Sequence, residues 1–249
     1  MLEFSYYLIV SFCILLFAIS KSGFSGGGLA LISVTVLSIT YGPITAIAIL
    51  MPMLIVCDVI AIYLNRKYYD HQVIWSMAPF SLLGVVAGTI LFKFISLSLI
   101  SIFIGAISLT YVYLNYMAKK SKIMKIPFYG NKGLWGALAG FTSFVLHSGG
   151  LPLNIYYMSV YNQKLQFVAG VVFSIALINV FKLVPYFYLD ILNIQSLLNY
   201  LLFSPVAVIG VILGHWMNSK LSDKSFFAII NFFIVVASLR LIYLGIVDL

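Results

Sequence analysis

The sequence predicts an all-α polytopic membrane protein, on three observations. Of 249 residues, 63% are hydrophobic and only 8% charged. Mean hydropathy is +1.12, far above a globular value. Finally, the apolar residues fall into a series of runs separated by short polar loops. With no water in the bilayer core, a spanning chain must satisfy its backbone internally, and such runs do so as helices. At roughly 20 residues per crossing, the length allows about eight to ten crossings and leaves no room for a soluble domain.

The runs cover about 4–20, 26–40, 43–64, 73–94, 97–117, 133–148, 151–161, 165–188, 196–217 and 226–247. The first resembles a secretory signal, with Ala18-Ile-Ser20 as a small-x-small site, but it lacks a basic leader and carries only Glu3. It is read as a retained first helix. Two runs are short. One opens on Gly26, Gly27 and Gly28 and the other on Gly149 and Gly150. The expectation is therefore about eight full transmembrane helices plus two short glycine-led segments, tilted or re-entrant. Residues 1–117 form an N-terminal transmembrane repeat, 118–132 a basic cytoplasmic linker and 133–249 a C-terminal repeat.

The formal charge of +8 does not indicate nucleic acid, because the basic residues cluster between apolar runs. The positive-inside bias accounts for them. With the N-terminus outside and both short segments traversing, Lys21, Arg66, Lys67, Lys119, Lys120, Lys122, Lys125, Lys132, Lys164, Lys220 and Lys224 are cytoplasmic and Lys93 is outside. If the short segments instead dip back, Lys21, Lys93, Lys164, Lys220 and Lys224 fall outside, a poorer match. The traversing order also relates the halves as an inverted repeat, an arrangement that supports alternating access. Landmarks recur in each half: Gly23-Phe-Ser answers Gly140-Phe-Thr, and Ser81-Leu-Leu-Gly84-Val-Val-Ala-Gly88 answers Ala207-Val-Ile-Gly210-Val-Ile-Leu-Gly214. The Gly-xxx-Gly spacing reads as close helix packing.

Ionisable side chains within apolar runs are costly and mark candidate sites. Asp58 and Lys182 occupy the third run of each half. Aligning the halves puts Asp58 opposite Asn179, with Lys182 one helical turn further along the same face. Either Lys182 holds an anion while Asp58 balances it or takes a coupling proton, or the two form a buried clamp between halves. The stretches Gly23-Phe-Ser-Gly-Gly-Gly28 and His147-Ser-Gly-Gly-Leu-Pro152 would aim unpaired N–H groups at an anion. Ser22, Ser25, Thr142, Ser143 and Ser148 supply hydroxyl donors. His147 either donates to substrate, titrates, or caps a helix. The substrate-binding set is thus Lys182, Asn179, Gly26, Gly27, Gly28, Ser25, His147, Ser148, Gly149 and Gly150, with Asp58 and His147 as proton-coupling candidates. His215, Arg240 and the prolines read as anchoring or shaping helices.

Cys13 and Cys57 are separate and lie in apolar runs, so neither a disulfide nor a zinc site is expected. No metal triad, nucleophile–base signature or phosphate-binding loop is present, and no catalytic residue, metal or cofactor is expected.

In order along the chain, the glycine-rich stretch after the first helix, Pro52-Met-Leu-Ile-Val-Cys-Asp58, Arg66, Gly84 with Gly88, Phe141-Thr-Ser-Phe-Val-Leu-His147-Ser-Gly-Gly150-Leu-Pro152 and Asn179-Val-Phe-Lys182-Leu-Val-Pro185-Tyr186 resemble the sulfite exporter TauE/SafE family. The resemblance covers nearly the whole chain. It implies a cytoplasmic-membrane permease of two repeats that moves a small sulfur-containing anion such as sulfite, sulfoacetate or thiosulfate. Leu151 stands where many relatives look like Gly-Gly-Pro-Pro, and the proline often found after Gly28 is missing from Leu31-Ile-Ser-Val. Both departures flank the expected cavity. The expected partners are a small anion and the lipid bilayer; a homo-oligomer is compatible with the sequence. The alternatives are transport of another metabolite or a metal cation, with Asp58 as ligand, and a non-transporting membrane partner or assembly protein.

Overall fold

The computed structural model describes residues 2–23, 28–92 and 130–247, with scattered positions between 94 and 116. Among the described residues the chain is helical and contains no strand. The helices are α1 (Leu2–Gly23), α2 (Gly28–Tyr41), α3 (Pro43–Asn65), α4 (His71–Leu91), α5 (Lys132–Leu146), α6 (Gly150–Val160), α7 (Lys164–Tyr188), α8 (Ile194–Tyr200), α9 (Ser204–Lys220) and α10 (Asp223–Val247). Described positions between 98 and 116 are helical too.

Local chemistry sets the boundaries. Gly42 takes a positive φ of 88° between α2 and α3, and Pro43 then opens α3, where its missing N–H has no helical partner to lose. Asp70 caps α4 through Val73 N, and Asn131 caps α5 through Leu134 N at 2.9 Å. Each cap supplies an acceptor to an otherwise orphaned donor.

Five described stretches are long and apolar enough to cross a membrane: Ile44–Tyr68, His71–Leu91, Lys164–Tyr188, Ile194–Lys220 and Asp223–Val247. Large apolar side chains such as Ile39, Val184 and Tyr188 point outward, while the interior holds a continuous apolar cluster. An exterior this apolar needs hydrocarbon as its solvent, so the protein is a multi-pass membrane protein.

Helix directions follow from contacts. The rings of Tyr6 and Tyr41 meet at 5.3 Å, so α2 folds back along α1 as a hairpin. Likewise, Gly130 before α5 lies beside Ser159 near the end of α6. α1 runs parallel to α9: Tyr7 near its start meets Phe203, and Leu15 and Ala18 meet Gly210. α4 runs parallel to α5, with Gly136 against Met77, Gly140 against Ser81 and Phe144 against Gly88. α3 and α7 are antiparallel, because Asp58 meets Asn179 whereas Tyr69, further along the chain, stacks on the earlier Phe173 at 4.4 Å.

Close packing explains the Gly-xxx-Gly pairs. A Cβ on Gly84 would collide with the Ala137 carbonyl, one on Gly140 with the Ser81 carbonyl, and one on Gly210 would lie 2.6 Å from Ala18 Cβ. Bare backbone is what lets these parallel helices touch.

Candidate functional site

The site is built around the turn between α5 and α6. α5 ends at His147, which adopts the left-handed conformation at φ 51°. The His147 and Ser148 N–H groups cap the Ser143 and Thr142 carbonyls, and α6 begins two residues later. Gly149 is required sterically, since a Cβ there would sit 2.6 Å from Ser143 Cβ and 2.8 Å from the Ala139 carbonyl.

From α7, Lys182 reaches this turn, fully buried. Its ammonium donates to Ser143 Oγ at 3.0 Å and to the Ser143 carbonyl at 3.2 Å, and lies 3.3 Å from His147 Nδ1. With the ammonium as donor, Nδ1 accepts and the ring proton resides on Nε2. One turn further on, Tyr186 donates to the Phe144 carbonyl at 2.7 Å and fixes α7 against α5.

A second buried cation stands opposite. Lys21, 3% exposed near the end of α1, forms an ion pair with Asp58 Oδ1 at 2.7 Å. The other carboxylate oxygen accepts from Asn179 Nδ2 at 2.6 Å. Burying these charges is tolerable because each has a partner of opposite charge or a hydrogen bond.

Between the two groups lies a cavity of about 20 Å³, walled by Lys21, Ser143, His147, Asn179, Lys182 and the Gly149–Gly150 backbone, with an apolar remainder. Two polar atoms of the wall residues have no partner among the described residues: His147 Nε2 and Asn179 Oδ1. Buried polar atoms are usually satisfied, so such a cluster marks a place for a polar ligand.

The sequence expectations meet this geometry unevenly. Lys182, Asn179, His147, Gly149 and Gly150 share the cavity wall. Asp58 stands behind it, paired with Lys21 and not with Lys182. Ser148 is buried outside the wall, and the Thr142 hydroxyl turns to its own helix at the Ala139 carbonyl, so Thr142 is not a free donor. Gly28 opens α2, while Ser25, Gly26 and Gly27 lie outside the described residues. His215 and Arg240 lie away from the wall.

One site residue went unassigned. Lys21 counts as a cytoplasmic loop charge in the topology above, yet the structure buries it beside Asp58. The signal was available: Lys21 lies between two apolar runs with no neighbouring cation, unlike the cluster Lys119, Lys120, Lys122 and Lys125. Lys164, counted the same way, is also buried, where its ammonium caps the end of α9 at the Asn218 carbonyl, 2.9 Å away. Among the described residues no three metal-ligating side chains converge.

Charged and unpartnered polar groups around a cavity inside a multi-pass helical protein suit the class of membrane permeases. The chain is a member of the sulfite exporter TauE/SafE family, whose profile, described as Sulfite exporter TauE/SafE, matches residues 11–241. Comparison with curated proteins and with solved structures returned no match.

Proposed function

We propose that the protein is a secondary transporter of a small anion, sulfur-containing as in sulfite, thiosulfate or sulfoacetate, that works by alternating access in the cytoplasmic membrane. One observation carries this reading: Lys21 and Lys182, two buried cations, both line a small cavity at the turn of a helical hairpin. Lys182, Asn179, His147 and the Gly149–Gly150 backbone hold the anion, and the glycine-led start of α2 faces it from the other half. Asp58 or His147 carries the coupling proton. The chain performs no catalysis.

The cavity has room for about one water, less than an oxyanion of four heavy atoms needs. Loading therefore requires the hairpins to part.

Two inverted repeats, 1–117 and 133–249 joined by the basic linker 118–132, supply the moving parts. The helix register supports this. Leu15 and Ile19 meet Gly210 as Ala137 and Phe141 meet Gly84, and α2 and α6 open on Gly28 and Gly150. In this register Lys21 corresponds to Ser143, and the match of Gly23-Phe-Ser with Gly140-Phe-Thr is displaced. Equivalent helices α1 and α5 run in opposite directions, given that each hairpin returns to its start and α4 runs with α5. Spanning order follows the traversing arrangement with the N-terminus outside. α2, of 14 residues, and α6, of 11, reach only about 21 and 16 Å, against the roughly 30 Å of a hydrocarbon core, so each is a partial span.

Uptake of labelled sulfite, thiosulfate and sulfoacetate into proteoliposomes under an imposed pH gradient tests the reading. Wild type is expected to move at least one of them, with Lys182→Ala slower by about 100-fold. No flux of any of the three, or flux indifferent to Lys182→Ala, rejects it. Loss of flux in Asp58→Asn alone would point to a cation.

A further inference from the structure

The two lysines of the cavity are held differently. Lys182 spends its three N–H donors on Ser143 Oγ, the Ser143 carbonyl and His147 Nδ1. Lys21 has Asp58 as its one polar partner among the described residues, and Lys21 is in the cavity wall while Asp58 is not. Lys21 therefore has donors to spare toward the cavity, but its charge is already neutralised from behind. Asn179 is held in the same way: Asp58 takes its N–H, and its unpartnered Oδ1 is an acceptor that repels an anion.

We infer that Lys21 is a second anion ligand of this cavity and that Asp58 is the catch that withholds it, releasing both Lys21 and the Asn179 amide when the carboxylate takes a proton. The inference rests on the anion-transport reading above. The proton adds to Asp58 Oδ2, the oxygen beside Asn179, the ion pair becomes a neutral acid beside a free ammonium, and the entering anion supplies the negative charge that the carboxylate gave up. A protonated carboxyl can donate to Asn179 Oδ1, which lets the amide turn and present its N–H groups to the cavity. The groups that face Asp58 are consistent with such an exchange. They are Lys21 from α1, Asn179 and Lys182 from α7, and Cys57 on its own helix, with His147 beyond the two lysines. No other carboxylate is among them, so protonating Asp58 leaves the lysines with no counter-charge except the substrate. Anion and proton are then bound together, one for one.

Equilibrium binding of labelled thiosulfate to the purified protein tests this, because thiosulfate keeps both charges over the range used. Sulfoacetate is measured in parallel. As pH falls, Asp58 gains its proton and Lys21 is freed, so wild-type affinity is expected to rise on acidification. The steepest slope, about tenfold per pH unit, is that of one linked proton. Asp58→Asn, which mimics the neutral acid, should bind with the acid-side affinity at every pH. Lys21→Ala/Asp58→Asn, which leaves no unpaired carboxylate to unfold the protein, should bind roughly 10- to 100-fold more weakly than Asp58→Asn, as expected for losing a charged ligand. Affinity that stays pH-dependent in Asp58→Asn, or a double variant that binds as tightly as Asp58→Asn, overturns the Lys21 role while the Lys182 site stands. If neither anion binds wild type, both the inference and the sulfur-anion reading fall together, an outcome distinct from the first.

Discussion

Lys21, Asp58, Asn179, His147 and Lys182 are a handful of polar side chains in a chain that is 63% hydrophobic, and their cost sets the energetics of the site. Lys21→Ala alone leaves a buried carboxylate without its cation, which should destabilise the protein by about 3–5 kcal/mol. Adding Asp58→Asn should restore most of that loss. Thermal unfolding in detergent reads the pair; equal destabilisation of the single and double variants would contradict the ion pair. His147 separates backbone from chemistry, since its φ of 51° suits Asn and penalises a β-branched residue. His147→Asn keeps the backbone and an acceptor for Lys182 but loses the Nε2 donor. It should fold normally and transport slowly, whereas His147→Val should lose about 1–2 kcal/mol of stability. Both are checked by unfolding alongside flux. Lys182, Asn179 and His147 were legible in the sequence because charge and amide groups in apolar runs stand out against hydrocarbon. Lys21 was passed over although its isolation was a signal, because a lone cation beside a glycine stretch also has the appearance of a loop charge.

At the scale of helices, packing depends on backbone contact between α4 and α5 and between α1 and α9. Gly84→Ala pushes a methyl group into the Ala137 carbonyl and should lower stability by about 1–3 kcal/mol. Gly130→Ala, whose nearest neighbour would be Ser159 Oγ at 3.9 Å, should change it by no more than about 0.5 kcal/mol. Indistinguishable unfolding of these two variants would contradict the close packing. Helix existence and the Gly-xxx-Gly contacts could be read from sequence, since apolar runs and small-residue spacing report local geometry directly. The partner of each glycine face could not. Nothing in Ser81-Leu-Leu-Gly84 says that its neighbour runs parallel and comes from the other half of the chain. The proposed repeat meets the same limit: glycine strings pair Gly23 with Gly140, whereas the contacts of Leu15 and Ala137 favour pairing Lys21 with Ser143.

For the whole molecule, the proposed order of helix directions is supported by the Tyr6–Tyr41 contact between α1 and α2, by the antiparallel α3–α7 pair and by the charge pattern, even without Lys21 as a marker. On that order α10 ends on the same side as the start of α1. A reporter fused to the C-terminus should be active only outside the cytoplasm, and cytoplasmic activity would reverse the order. The anion is proposed to sit between Lys21, His147 and Lys182. An experimental structure of the wild-type protein soaked with selenite, an anomalously scattering analogue of sulfite, tests it most directly. A selenium peak inside this cavity, within roughly 4 Å of Lys182 Nζ and His147 Nε2, is the expected result. A peak elsewhere, with this cavity left empty, would contradict it.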